Sequence, residues 1–349
     1  MRRLVGALLA TAAAGALVAG VLPGVADVAR TDAVLADTGE VAPSPLRLRA
    51  VSDSPVAGLR TGFLDVPELG AAPHRVRVGV VEPEGAPRVD VLFLHGHADR
   101  LDNHAALFAA LAADGVRVTS FDMPSHGLTD AGVIDRWSFG DLAALAASVE
   151  RATADGSDRP FVLAGWSFGG LLATRIVQSP SERAAFGRPI SALAVESPAI
   201  VPLPFSGGDG VSKLRALTHD LSAPVAGPPQ PPSPLQDPVF AGRLLANGQI
   251  AATTPLPRDV PTLVELADPT EDSYVDVAGV DAWATGIARR DGAPVTVLRC
   301  VGARHALDLE SWPIGPEART AFAAFVASAA SGTAHLPTSD EPARGATCR

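Results

Sequence analysis

Short alternating or continuous apolar runs, bounded by turn residues, are separated along the middle of the chain by stretches whose apolar positions recur at helical spacing. Residues 89–94 (VDVLFL), 190–195, 262–266 and 295–301 predict buried strands, and 116–121 and 161–165 predict two further strands. Residues 75–81 (RVRVGVV) alternate apolar and polar positions and predict a half-exposed strand. Helical spacing marks an amphipathic helix over 103–113 and further helices over 139–154, 168–178, 277–289 and 316–330. Parallel neighbours need a crossover, which is usually helical, so this order predicts an α/β fold with a mostly parallel central sheet flanked by helices. Loops that carry chemistry then belong at the carboxyl edge of that sheet.

The alternation breaks over 200–257, which holds a proline-rich run at 224–238 and a short helix at 239–246. This is too long for an ordinary connection and predicts a cap insertion folded over the sheet edge. Its apolar side chains, among them Leu203, Phe205, Phe240 and Leu244, can line a pocket or form the cap's own core. The core then comprises 46–199 and 258–331, and 332–349 reads as a flexible tail. At the other end, Arg2 and Arg3 precede an apolar run over 4–22, then Pro23 and small residues, the layout of a secretory signal over 1–26. Cleavage after Ala26, or as late as Ala36, leaves a flexible leader up to residue 45. An uncleaved membrane anchor is the alternative. The expectation is a secreted or cell-envelope protein with no stable membrane span once the signal is removed.

Charge and cysteine content narrow the partners. The 349 residues carry 28 basic and 38 acidic side chains, a net charge of −10, which excludes nucleic acid as a partner. Two cysteines, Cys300 and Cys348, rule out a disulfide-dense scaffold and a Cys-only zinc site. In an oxidising destination they can bond and pin the tail, or remain two thiols.

The strongest local signal is Gly165-Trp166-Ser167-Phe168-Gly169-Gly170, a GxSxG run between a predicted strand and a predicted helix. A tight strand-to-helix turn of small residues leaves the serine hydroxyl exposed at the sheet edge. Serine needs a base to take its proton, and the base needs a carboxylate to orient it. His305, in the loop after the last predicted strand, is the candidate base. Asp272, in the loop after 262–266, is the preferred acid; Asp268 and Glu271 share that loop, and Glu196 ends the strand 190–195. Backbone N–H groups of Phe168 and His97 are the candidate oxyanion donors.

Together these residues resemble the serine α/β-hydrolases of the monoacylglycerol lipase-like and carboxylesterase type. In that family an HGxG turn, a DxxGHGxS turn, the GxSxG elbow, a DxxV acid loop and a GxxH loop follow one another. Their counterparts here are His95 to Ala98, Asp122 to Thr129, Gly165 to Gly169, Asp272 to Val275 and Gly302 to His305, within about 89–310. Ala98 departs from the second glycine of HGxG, which bears on oxyanion geometry; Ser125 and Thr129 depart from the Gly and Ser of the second turn. The resemblance implies an α/β-hydrolase fold, a small-molecule ester substrate (acyl lipids included), an acyl-enzyme and no cofactor. Acyl transfer to an alcohol begins with the same acyl-enzyme, and a non-catalytic exported module would keep the fold. His95 and His97 also open an HxHxDH-like zinc run, but Arg100 stands where the next ligand belongs.

Overall fold

The computed structural model describes residues 46–52, 54–66, 74–131, 134, 137–203, 238–332, 334–336 and 347–349. Nine strands form one sheet: β1 (Arg49–Ala50), β2 (Leu59–Val66), β3 (His74–Val81), β4 (Val89–Leu94), β5 (Val116–Phe121), β6 (Phe161–Trp166), β7 (Ile190–Glu196), β8 (Thr262–Leu266) and β9 (Val295–Arg299). Their order is β1-β2-β3-β5-β4-β6-β7-β8-β9. From β5 to β9 every pairing is parallel, and β3 joins β5 antiparallel. This is the expected α/β architecture. Every residue of β4, β5 and β6 is buried, as strands between two helical layers are, and the polar Arg117 and Ser120 of β5 find partners in Glu82 and the Phe93 carbonyl.

The helices are α1 (Ala105–Ala113), α2 (Phe139–Thr153), α3 (Ser167–Gln178), α4 (Pro180–Ala184), α5 (Pro238–Thr253), α6 (Val277–Asp291) and α7 (Ile314–Ser328). α1 packs with α7, and α7 lies against β4, β7 and β8; α2 and α5 pack on α3. A capping box starts α2, in which Ser138 Oγ accepts the Asp141 N–H and Asp141 Oδ2 accepts the Ser138 N–H, each at 3.0 Å.

Several elements differ from the sequence pattern for identifiable reasons. β3 is buried, not half-exposed, beyond Arg75: the polar position Arg77 turns inward and is neutralised by Asp102 at 2.6 Å and Asp122 at 3.2 Å. β2 was not anticipated because an inward position is Gly62, where a Cβ would lie 2.5 Å from the Arg47 carbonyl oxygen, while Phe63 points outward under Arg75. The helix expected over 103–113 begins as a 3-10 turn, Leu101–His104, because the Asp99 side chain holds Asn103 and His104. α5 runs well past the expected 239–246. Asn247-Gly248 reads as a stop, but Asn247 is buried against Arg175, and Gly248 is the residue that fits beside the Ile200 carbonyl. Residues 204–237 of the expected cap, Phe205 and most of the proline-rich run among them, lie outside the described residues, as do the signal and leader.

Cys300 and Cys348 are bonded to each other. Arg299 and Arg349 exchange two backbone hydrogen bonds, of 2.7 and 2.9 Å, so the end of the segment expected to be a flexible tail is instead laid along β9. No helix among the described residues is long and apolar enough to cross a membrane.

Candidate active site

Ser167 stands where β6 turns into α3, with φ of 53°. Two glycines make that turn buildable: a Cβ on Gly165 would fall 2.6 Å from the Gly169 backbone, and one on Gly169 would fall 2.0 Å from the Leu94 carbonyl oxygen. A left-handed φ at a serine costs about 1–2 kcal/mol, which the surrounding packing must offset. The Ala199 N–H holds the Ser167 carbonyl at 3.0 Å.

His305 follows β9 and is 3 % exposed. Its Nε2 lies 2.8 Å from Ser167 Oγ, and its Nδ1 lies 2.8 Å from Asp272 Oδ2. A carboxylate accepts the Nδ1 proton, which leaves Nε2 as a lone pair facing the serine hydroxyl. The ring is set between Tyr274, at 4.8 Å between centroids, and Trp166, at 5.4 Å. Trp166 Nε1–H also donates to the His305 carbonyl at 2.9 Å. Asp272 is aimed by its own loop, since its Oδ1 accepts the N–H groups of Tyr274 at 2.8 Å and Val275 at 3.1 Å. That loop is tied in turn to the chain after β7: Leu203 N–H donates to the Tyr274 carbonyl, and Asp276 N–H to that of Val201.

The other carboxylates considered from sequence lie elsewhere. Asp268 Oδ1 caps the Thr270 turn and its Oδ2 accepts the Gly302 N–H at 2.8 Å, which ties the acid loop to the histidine loop. Glu196 is buried at the end of β7 and accepts the Asp308 N–H at 3.1 Å. Burial, then the nearby charges of Asp308 and Glu265, push its carboxyl well above the usual carboxylate range. Glu271 is exposed.

The turn after β4 lies against the elbow. A Cβ on Gly96 would meet the Trp166 ring at 2.5 Å and Ser167 Cβ at 3.3 Å, so this backbone approaches Ser167 closely. Phe168 N–H lies in the first turn of α3, where no carbonyl four residues earlier can take it. The His97 ring stacks on Phe240 of α5 at 4.2 Å, which brings α5 against the turn. Two histidines hold the turn in shape. His95 Nδ1–H donates to the Gly96 carbonyl while Nε2 accepts the Met123 N–H; His126 Nδ1–H donates to the Pro124 carbonyl while Nε2 accepts the Ala98 N–H. Burial is the main cause that lowers both to about 4, so both are neutral. With both ring nitrogens so engaged, His95 has no lone pair left for a metal. Among the described residues no group of three His, Cys, Asp or Glu could hold a metal ion. Ala98 and Ser125 carry φ of 57° and 61°, so two departures from the family pattern sit where glycine is the least strained residue. Thr129 Oγ1 accepts the Arg77 N–H and donates to the Asp122 carbonyl, an arrangement a serine hydroxyl would share.

Trp166, Tyr274 and His126 lie inside the sequence motifs, and Phe240 among the apolar residues able to line a pocket, but no local spacing assigns them contacts here. Trp166 and Tyr274 lie one or two positions from Ser167 and Asp272. Phe240 and His126 both meet the His97 ring only through the fold.

A family model described as the alpha/beta hydrolase family matches residues 91–346. Among solved structures the chain is similar to a lipase in its open form (19 % identity, covering 77 % of this chain and 99 % of that one, TM-score 0.58). It is similar to a thermostable carboxyl esterase from Bacillus coagulans in complex with glycerol (16 %, 76 % and 97 %, TM-score 0.58). A monoacylglycerol lipase from Paleococcus ferrophilus is a third (18 %, 72 % and 98 %, TM-score 0.53). At these identities the likeness is one of fold. No curated protein matches the sequence.

Proposed function

The chain belongs to the alpha/beta hydrolase family, and from that premise we propose that it cleaves carboxylic esters by attack of Ser167 Oγ on the ester carbonyl. His305 Nε2 takes the hydroxyl proton as the new C–O bond forms, and Asp272 balances the imidazolium through Nδ1–H. The Phe168 and His97 N–H groups receive the negative charge that moves onto the carbonyl oxygen. When the tetrahedral intermediate collapses, His305 returns the proton to the departing alcohol, leaving Ser167 acylated. Water, deprotonated by the same imidazole, then releases the acid and restores the serine. The observation that carries this reading is the continuous hydrogen-bonded line from Ser167 Oγ through His305 to Asp272, two contacts of 2.8 Å joining three separate loops. The lipase and esterase neighbours support the ester as the bond cleaved.

The test is release of p-nitrophenol from short acyl esters. Ser167→Ala is expected to lower kcat by about a million-fold, to the level left by the oxyanion donors and substrate binding. Undiminished turnover in that variant contradicts the assignment, and no turnover in the wild type returns the chain to a non-catalytic module. Export belongs to the same proposal, supported by the signal-like run at 4–22 and the Cys300–Cys348 bond. Amino-terminal sequencing of protein recovered from outside the cytoplasm should begin after Ala26 or Ala36, and a mature chain retaining Met1 contradicts it.

A further inference from the structure

Behind the catalytic loops lies a charged histidine that the reaction scheme does not use. His104 is fully buried at the end of the 3-10 turn after β4. Its Nε2 is 2.6 Å from Asp99 Oδ2 and its Nδ1 is 2.7 Å from Asp308 Oδ2. A neutral imidazole has one N–H and would leave the second carboxylate facing a lone pair, so the ring fits this place only as an imidazolium donating to both. Burial opposes that charge, but Asp308 and Asp99 outweigh it and hold the ring well above the ordinary histidine value. Phe93, at 4.6 Å between centroids, and Trp166, at 5.7 Å, fix its plane. The remaining titratable groups near it are His95 from the turn after β4, which is neutral, and Glu196 from β7. Glu265 on β8 lies near Asp308, and burial followed by the Asp308 charge pushes the Glu265 carboxyl well above the usual range.

We propose that His104 is a positioning residue that locks the oxyanion turn to the His305 loop through its two carboxylate bonds. The proposal rests on the ester-cleaving reading above. Asp99 lies two residues beyond His97, and Asp308 three beyond His305. The strands that deliver these loops, β4 and β9, are separated in the sheet by β6, β7 and β8, so no backbone ladder sets one loop against the other. Asp308 N–H is itself fixed by Glu196, and its carbonyl by Arg319. The buried bridge Asp99–His104–Asp308 therefore spans the gap between the oxyanion donor and the general base, and its charge never touches substrate.

The experiment is the pH profile of kcat and KM for p-nitrophenyl butyrate, from about pH 5 to about pH 9, in wild type, Asp308→Asn and His104→Gln, with thermal melts alongside. Asp308→Asn keeps the volume but removes one of the two charges that hold the proton on His104. Its alkaline limb in kcat is expected at least about one pH unit below that of the wild type, with KM within about twofold. His104→Gln is expected to lose about 10- to 100-fold in kcat, again with little change in KM. A folded Asp308→Asn enzyme with the wild-type profile overturns the proposal, and so does a folded His104→Gln enzyme with undiminished kcat. If His104→Gln does not fold, Asp308→Asn decides alone. If the wild type cleaves no ester, the functional reading fails separately, and nitrogen-15 NMR of the His104 ring in Ser167→Ala protein then decides: both nitrogens protonated at about pH 8 and a His104 deprotonation moved to lower pH by Asp308→Asn support the lock. A neutral ring, or an undisplaced titration, overturns it.

Discussion

Four carboxylates compete on paper for the role beside His305, and hydrogen-bond geometry separates them. Asp272 presents one oxygen to His305 and spends the other on two backbone N–H groups, so its direction is set before substrate arrives. Asp272→Asn should lower kcat by about three to four orders of magnitude, because an amide no longer selects the tautomer that leaves Nε2 free to accept. Glu196→Gln and Asp268→Asn, assayed beside it, should each lose less than about tenfold, since they act on the Asp308 and Gly302 backbone and not on the imidazole. A Glu196→Gln loss equal to that of Asp272→Asn contradicts this ordering. Ser167, His305 and Asp272, which the fold brings into one hydrogen-bonded line, each sit in a short local motif near a strand end that a sequence displays. The pair His104–Asp308 has no such motif: 204 residues separate its members, and no local spacing announces it.

At the scale of elements, β6 (FVLAGW) is readable because burial on both faces leaves it no polar position, and β4 because its single polar residue, Asp90, is neutralised by Arg159 and Arg188. β2 escaped because Gly62 occupies an inward position and Phe63 an outward one, which inverts the hydrophobic signal. Asn247-Gly248 mimics a helix stop while serving as packing residues against Arg175 and Ile200. The disulfide is the element-scale feature with the clearest consequence. Cys300 follows β9 immediately before the His305 loop, and its bond to Cys348 bridges a sequence separation of 48. Cys348→Ser should destabilise the protein by about 2–4 kcal/mol, read from the denaturant midpoint and slope together, since the unfolded chain freed of the bond is less compact and the slope rises with it. The backbone N–H of Val301, bonded to the Thr347 carbonyl, should also lose protection from hydrogen exchange. An unchanged midpoint would show that the terminal segment contributes nothing to the folded core.

For the whole molecule, buried histidines of opposite character set the dependence of stability on pH. His95 and His126 are neutral in the fold, with values near 4 against an ordinary 6.5. The unfolded chain therefore binds more protons between those limits. Their contribution is complete above about pH 6.5 and is lost as pH falls toward 4, by an order of 3 kcal/mol for each and less than twice that for the pair, whose rings lie 5.3 Å apart. His104 runs the other way: its value is raised, so its contribution is complete below the ordinary histidine value and is lost as pH climbs through the folded one. Urea midpoints measured on Ser167→Ala protein should fall between about pH 6.5 and about pH 4, and a flat midpoint across that interval contradicts the neutral assignment. The same polar groups shape the loops, since neutral His95 and His126 hold the turn after β4, and His104 joins Asp99 of that turn to Asp308 beyond His305. The central claim, that one serine among those of this chain is made nucleophilic by His305, is tested most directly by exposing the protein to a p-nitrophenyl phosphonate and mapping the adduct by peptide mass. One phosphonyl group on Ser167, absent after His305→Ala, is the predicted result; a protein that keeps cleaving esters while Ser167 stays unmodified would contradict it.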